Sequence, residues 1–268
     1  CCRVYDGDDP AMPMWMVFSS ATNNIFYSGR TPSGIRVVNG LLFCGTTDGY
    51  FSVNFPSEES RIVGSSYRYT YKGSLSQRNS AVGLLPSSSI GYIVNSTTND
   101  IAMTILPNAP IDSATGLPIP TIAVATDGGV SVIKDDGSVV DITFSSQNVI
   151  SLIDFIDTDK VIFVNDSGVA RFIKVYAIPV ADIAGGVGYG SGGALESYET
   201  IADGSGHDMT FHSNTSGRAT KALSARNFGL DHGLILLEAN IEAPSKCAIS
   251  IITSDYNTGY MVGDIKLA

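Results

Sequence analysis

Cysteine, histidine, tryptophan and charge are all scarce in this chain of 268 residues, which has 4 Cys, 3 His and 1 Trp and is 16 % charged. The cysteines, Cys1, Cys2, Cys44 and Cys247, are too few and scattered for a disulfide framework. Adjacent Cys1 and Cys2 cannot bridge each other without strain. All four are expected as thiols, with Cys44 a small buried apolar group in a strand. No Cys-x-x-Cys pair exists for zinc. With only His207, His212 and His232, and no Gly-x-Ser-x-Gly elbow, a Ser-His-Asp triad has little to be built from. There is no signal peptide and no apolar run long enough to span a membrane as a helix, so membrane insertion is not expected. Helical periodicity is nearly absent; residues 221–226 are the one short candidate. Basic residues are outnumbered, 16 Lys+Arg against 26 Asp+Glu, for a formal charge of −10. Such a field repels phosphate backbones, and no basic patch offsets it, so nucleic acid is not an expected partner.

What is abundant is a short unit, an apolar run, a tight polar turn and a second apolar run. Its clearest copies are LLFCGTTDGYFSV and TIAVATDGGVSV. Both contain Thr-Asp-Gly, at Thr47, Asp48, Gly49 and at Thr126, Asp127, Gly128, and these tips are expected to be equivalent. Looser copies turn at Asn95 to Asp100, Asp166 to Gly168 and Asp231 to Gly233. Repeated strand–turn–strand units point to an array of small sheets, and most directly to a β-propeller. Asn39-Gly40 between two apolar runs is the signal for a two-residue hairpin, because both residues tolerate positive φ. Residues 122–175 read as a meander of consecutive hairpins. The stretch 106–120 carries four prolines and is expected as an ordered surface loop. Residues 184–217 are Gly- and Ser-rich and read as a projecting insertion. Tyr67, Tyr69 and Tyr71 share one face at period two, where packing on a neighbouring sheet is preferred to a ligand platform.

Few motifs carry chemistry. Gly188-x-Gly190-x-x-Gly193 matches the dinucleotide fingerprint by letter, but no strand–helix unit surrounds it. His207, Asp208 and His212 lie on polar loop text and make a poor metal frame. Asp6-Gly7-Asp8-Asp9, Asp135-Asp136-Gly137 and Asp154/Asp157/Asp159 offer oxygen ligands of the calcium kind, although Asp-Gly at a tip is explained by turn geometry. Paired carboxylates for glycoside hydrolysis are invisible at this level. No catalytic, cofactor-binding or metal-ligating residue is assigned, and calcium is kept only as a secondary reading.

Three stretches, YDGDDPAMPMWMVF (5–18), residues 99–143 with TIAVATDGGVSVIKDDGSVVDIT at their end, and ITSDYNTGYMVGDIKLA (252–268), resemble large virion proteins of tailed bacteriophages, marine ones especially. The resemblance implies a propeller-like region within a tail fibre, tail spike or other exposed appendage, located on the virion. Its implied partners are other virion proteins, copies of the chain itself and host surface polysaccharide. It brings no catalytic residue with it.

The expectation is therefore an all-β fold, one propeller domain over 1–268 of about five to seven blades, six preferred. The strand at Cys2 to Tyr5 and strands from Ala248 onward would close one blade together, since an unpaired first strand leaves an exposed edge. The Cys-Cys start suggests a piece of a longer chain. The expected function is a non-enzymatic scaffold or host-surface adhesion module of a phage. A polysaccharide depolymerase and a secreted carbohydrate-binding propeller are the alternatives.

Overall fold

Apolar runs separated by Asx- and Gly-rich turns fold as β-strands, nearly all of them antiparallel. The computed structural model describes residues 2–6, 8–18, 26, 29–79, 85–86, 91–113, 115–144, 148–156, 159–166, 171–186, 210–211, 234–237 and 249–252. The first strands are β1 (Cys2–Tyr5), β2 (Met14–Phe18), β3 (Pro32–Val38), β4 (Leu41–Thr46), β5 (Gly49–Asn54), β6 (Glu59–Val63), β7 (Arg68–Lys72) and β8 (Leu85–Pro86). Next come β9 (Thr98–Thr104), β10 (Thr121–Thr126), β11 (Gly129–Ile133), β12 (Val139–Phe144), β13 (Ile150–Ile156), β14 (Lys160–Asp166) and β15 (Arg171–Ala177). The remainder are β16 (Ile183–Gly186), β17 (Thr210–Phe211), β18 (Leu234–Leu237) and β19 (Ile249–Ile252).

These strands build open sheets. The β1–β2 hairpin stands alone, β3 to β8 form a six-stranded sheet in chain order, and β9 to β12 form the next, with β16 added parallel to β12. A four-stranded sheet follows in the order β13-β14-β15-β17, and β18 pairs with β19.

Three apolar layers hold the stack together. Phe18 and Phe26 meet Leu42, Cys44, Phe51 and Ile62 on one face of the six-stranded sheet. Its other face, through Phe43, Tyr50 and Val63, packs on Ile101, Ile122 and Val124 of the next sheet. Beyond that, Ala123, Val130 and Ile142 meet Ile153, Phe163 and Tyr176. Strand β10 therefore buries both faces, with Ile122 and Val124 on one side and Ala123 and Ala125 on the other. That is why its text is an unbroken apolar run.

The propeller of five to seven blades is not formed. The described sheets, of six, five and four strands with two separate two-stranded pairs, are open, and none closes into a ring or barrel. Nor, among the described residues, do the first and last strands join: β1 pairs with β2, and β19 pairs with β18. The physical reason lies in what a hairpin specifies. Turn residues fix the pairing of two neighbouring strands, whereas the way the sheets meet is decided by which faces remain apolar. The β1–β2 hairpin meets its own demand by covering the free face of the six-stranded sheet.

Both Thr-Asp-Gly segments are hairpins, but their equivalence is shifted by one residue. Thr46 pairs with Gly49, and Thr126 pairs with Gly129. In each hairpin the threonine hydroxyl donates to the partner glycine's carbonyl oxygen, at 2.9 and 2.8 Å. Gly49 and Gly129 both have positive φ, +80° and +129°, and Gly128, the textual counterpart of Gly49, is not among the positive-φ glycines. Asp48 thus corresponds to Gly128, not to Asp127. Both tips dock on one segment, Gly49 N–H on the Ser96 carbonyl and Asp127 N–H on that of Thr97, the latter at 3.1 Å. The expected strand before Asn95 is absent; residues 91–97 run as irregular chain that buries Ile93 between two sheets.

Candidate binding cleft

The face of the six-stranded sheet that looks toward β10 and β11 presents side chains in cross-strand rows. Phe43, Ser52 and Arg61 lie directly opposite one another on β4, β5 and β6. The next row on the same face is Leu41, Asn54 and Glu59. Where the two sheets are in contact, this face is apolar; toward its outer end it turns polar and a cleft opens. Its volume is about 430 Å³, within the range of small-ligand sites.

The floor is apolar, with the Phe43 and Tyr50 ring centroids 4.4 Å apart and Ile122 and Ile133 contributed by the facing sheet. The opposite wall is the proline-rich loop, closed on itself by the bridge Ile111 to Pro118 and by Ile119 N–H to the Pro110 carbonyl at 2.9 Å. Asn39 holds this loop in place by donating a side-chain N–H to the Pro118 carbonyl oxygen at 2.8 Å. Both partners stand where the sequence places a tight turn and an ordered proline loop. Asn39 and Gly40 have φ of +50° and +74°, as a two-residue hairpin with both residues left-handed requires. The remaining side is the turn 134–137, tied by Gly137 N–H to the Lys134 carbonyl at 2.9 Å.

Carboxylates outnumber cations along this lining: Glu59, Asp112, Asp135 and Asp136 face Arg61 and Lys134. Arg61 Nε is 2.6 Å from Glu59 Oε1, an ion pair across one edge of the cleft. Asp136 accepts both the backbone N–H and the hydroxyl of Ser138, at 2.8 and 2.6 Å, and these bonds hold its carboxyl below the usual range. Burial pushes the Tyr50 phenol up to about 12, against the pull of Arg68 and Arg61, so it stays neutral at physiological pH. Two carboxylates pushed upward by desolvation, the buried Asp100 and the half-buried Asp141, lie outside the lining.

The acidic clusters singled out from the sequence are absorbed by local structure. Asp6 Oδ1 accepts the Asp8 N–H at 3.0 Å and Asp9 Oδ1 the Ala11 N–H at 2.8 Å, the geometry of Asx turns. Asp154 Oδ1 accepts the Phe155 N–H at 2.9 Å. Asp135 and Asp136 reach the cleft rim. Among the described residues no group of three or more His, Cys, Asp or Glu gathers as a metal site. The tyrosines divide: Tyr71 is in the core, whereas the Tyr67 hydroxyl donates to Asp48 at 2.8 Å beneath Arg30, whose Nη2 lies 2.9 Å from Asp48 Oδ2. Cys1, Gly7, Asp157, Gly168, Gly188, Gly190, Gly193, His207, Asp208, His212, Asp231, His232, Gly233 and Cys247 lie outside the described residues, as does most of 184–217. No helix among the described residues is long and apolar enough to cross a membrane.

The cleft itself was not visible in the sequence. It assembles residues from four separate segments, of which Asn39-Gly40, the proline loop and Asp135-Asp136-Gly137 carry a signal in the sequence.

No family model matches this chain, and no curated protein matches it. Among solved structures, the computationally designed Ika8 protein is similar to it at 11 % identity and a TM-score of 0.29. That likeness covers 57 % of this chain, which spans about half, 48 %, of the designed one. The resemblance to tailed-phage virion proteins is corrected by these findings together with the open sheets: the propeller-like region it implied is not formed, and nothing matched bears it out.

Proposed function

We propose that this chain is a rigid scaffold and adhesion module, engaging its partner by contact at the cleft and not by turnover. The observation that supports it most is how firmly the cleft walls are built. One wall is a sheet face whose strands β4, β5 and β6 are each paired on both sides. The other is a loop whose prolines fix φ and whose position Asn39 holds. A cleft that is formed before its ligand arrives avoids ordering costs on binding. Three of its four carboxylates are engaged by their own surroundings, Glu59 with Arg61, Asp112 with Thr115 and Asp136 with Ser138.

The test exposes immobilised full chain to solubilised bacterial envelope material and follows retained mass and new reducing ends together. Retention without new reducing ends is the expected result. New reducing ends would make the protein a polysaccharide-degrading enzyme, and no retention would remove the adhesion reading.

A further inference from the structure

We infer that the cleft takes a neutral, hydroxyl-rich saccharide segment, an inference that rests on the binding-module reading above. Charge is the first reason. Glu59, Asp112, Asp135 and Asp136 line the cleft against Arg61 and Lys134, and Arg61 is already paired to Glu59. A uronate, phosphate or sialylated ligand would meet uncompensated negative potential on entry.

The second reason is the mixture of hydrogen-bonding groups. Each sugar hydroxyl both donates and accepts, so it is matched by a rim that carries both roles. Asn54 Oδ1 accepts the Ser57 N–H at 3.1 Å, which leaves its amide hydrogens as donors to a ligand. Arg61 adds further donors and Glu59 and Asp135 supply acceptors. Beneath this rim Phe43 and Tyr50, both nearly buried, close the floor with apolar atoms against which the C–H groups of a sugar can rest.

The third reason discriminates against a peptide. Extended peptides dock by adding a strand to a free sheet edge. This cleft lies on a sheet face, and its other wall contains Pro118 and Pro120, which have no N–H to offer. A helical peptide would need a continuous apolar groove, and Ser52 and Arg61 interrupt this one.

The experiment titrates the full chain with neutral gluco-, manno- and galacto-hexaoses, an oligouronate of equal length and hexalysine, by calorimetry. At least one neutral hexaose is expected to bind saturably, and Arg61→Ala and Asn54→Ala are each expected to weaken it tenfold or more. Melting curves of both variants establish that they remain folded, and Trp15→Ala, on the exposed β1–β2 hairpin, is expected to leave affinity unchanged. Binding of the oligouronate or hexalysine in place of neutral sugars overturns the inference, as does binding of no neutral hexaose. Neutral binding unaffected by both cleft variants also overturns it while leaving the adhesion reading intact. Absence of retention on envelope material removes that underlying reading instead.

Discussion

Asn39 donates its side-chain amide to the carbonyl oxygen of Pro118 at 2.8 Å, joining two turns 79 residues apart. One residue thereby does two things. Its backbone sits at φ +50°, which asparagine tolerates better than most residues, and its side chain fixes the far wall of the cleft. Asn39→Asp keeps the turn but replaces the donor with a carboxylate facing a carbonyl oxygen. A loss of about 1 kcal/mol in denaturant unfolding is expected, together with weaker binding at the cleft. Unchanged stability and unchanged affinity in Asn39→Asp would show that the bond positions nothing.

Gly49 and Gly129 define the true register of the repeated hairpins. Both have positive φ, and at each a Cβ would run into the carbonyl oxygen of the next strand, Val63 or Ile142. Gly49→Ala and Gly129→Ala are each expected to destabilise the fold by roughly 2–4 kcal/mol, from left-handed strain plus displacement of that strand. Thermal melting of the two variants provides the check. A near-neutral result at either position would break the equivalence of the two hairpins.

The one-residue shift in that equivalence shows what was legible in the sequence and what was not. Strand existence was plain, because Asn39-Gly40, Asp135-Asp136-Gly137 and the apolar runs between them leave few alternatives. The β10 run announced a strand buried on both faces. The textual match of Thr-Asp-Gly, however, set Asp48 beside Asp127, whereas pairing sets Thr46 beside Thr126. Letters record turn composition; register is decided by the carbonyl oxygens into which a Cβ at Gly49 or Gly129 would collide. The expected ring closure fails for a related reason, since a count of hairpins says nothing of how the first and last sheets meet. Asp100 was hidden in what looked like a polar turn, and only the approach of β13 makes it a buried carboxylate.

Asp100 links three sheets. Its Oδ2 accepts the Ile153 N–H at 3.2 Å, its Oδ1 accepts the Ile101 N–H at 2.9 Å, and Arg36 Nη2 lies 3.7 Å away. Burial raises its pKa above the ordinary 3.8, outweighing those bonds and Arg36, while Asp154 pushes the same way. With the folded value raised, the folded chain holds the proton more tightly than the unfolded chain. The favourable contribution is complete below 3.8 and is lost as pH rises through the raised value. Asp100→Asn removes this titration. The stability difference between the two proteins is thus expected to shift toward the variant as pH rises from about 3.8 through that window, in denaturant titrations at a series of pH values. A difference independent of pH would contradict this assignment.

Cys44 is 1 % exposed, and burial raises its thiol to about 12, with Cys2 adding to the rise. The thiolate is the reactive species, so at neutral pH the folded chain should leave Cys44 unalkylated by iodoacetamide. Mass spectrometry should find it labelled only after denaturant is added. Rapid labelling of Cys44 in the native protein would mean that the β1–β2 hairpin does not cover the sheet as described.

Backbone amide shifts in the full chain, recorded while a bound neutral hexaose is titrated, test the central claim most directly. The account predicts that the perturbed amides cluster at residues 52–61, 112–120 and 134–137, three of the four segments that line the cleft. Perturbation confined to the β1–β2 hairpin or to the tips at Asp48 and Asp127, with the cleft segments unmoved, would contradict it.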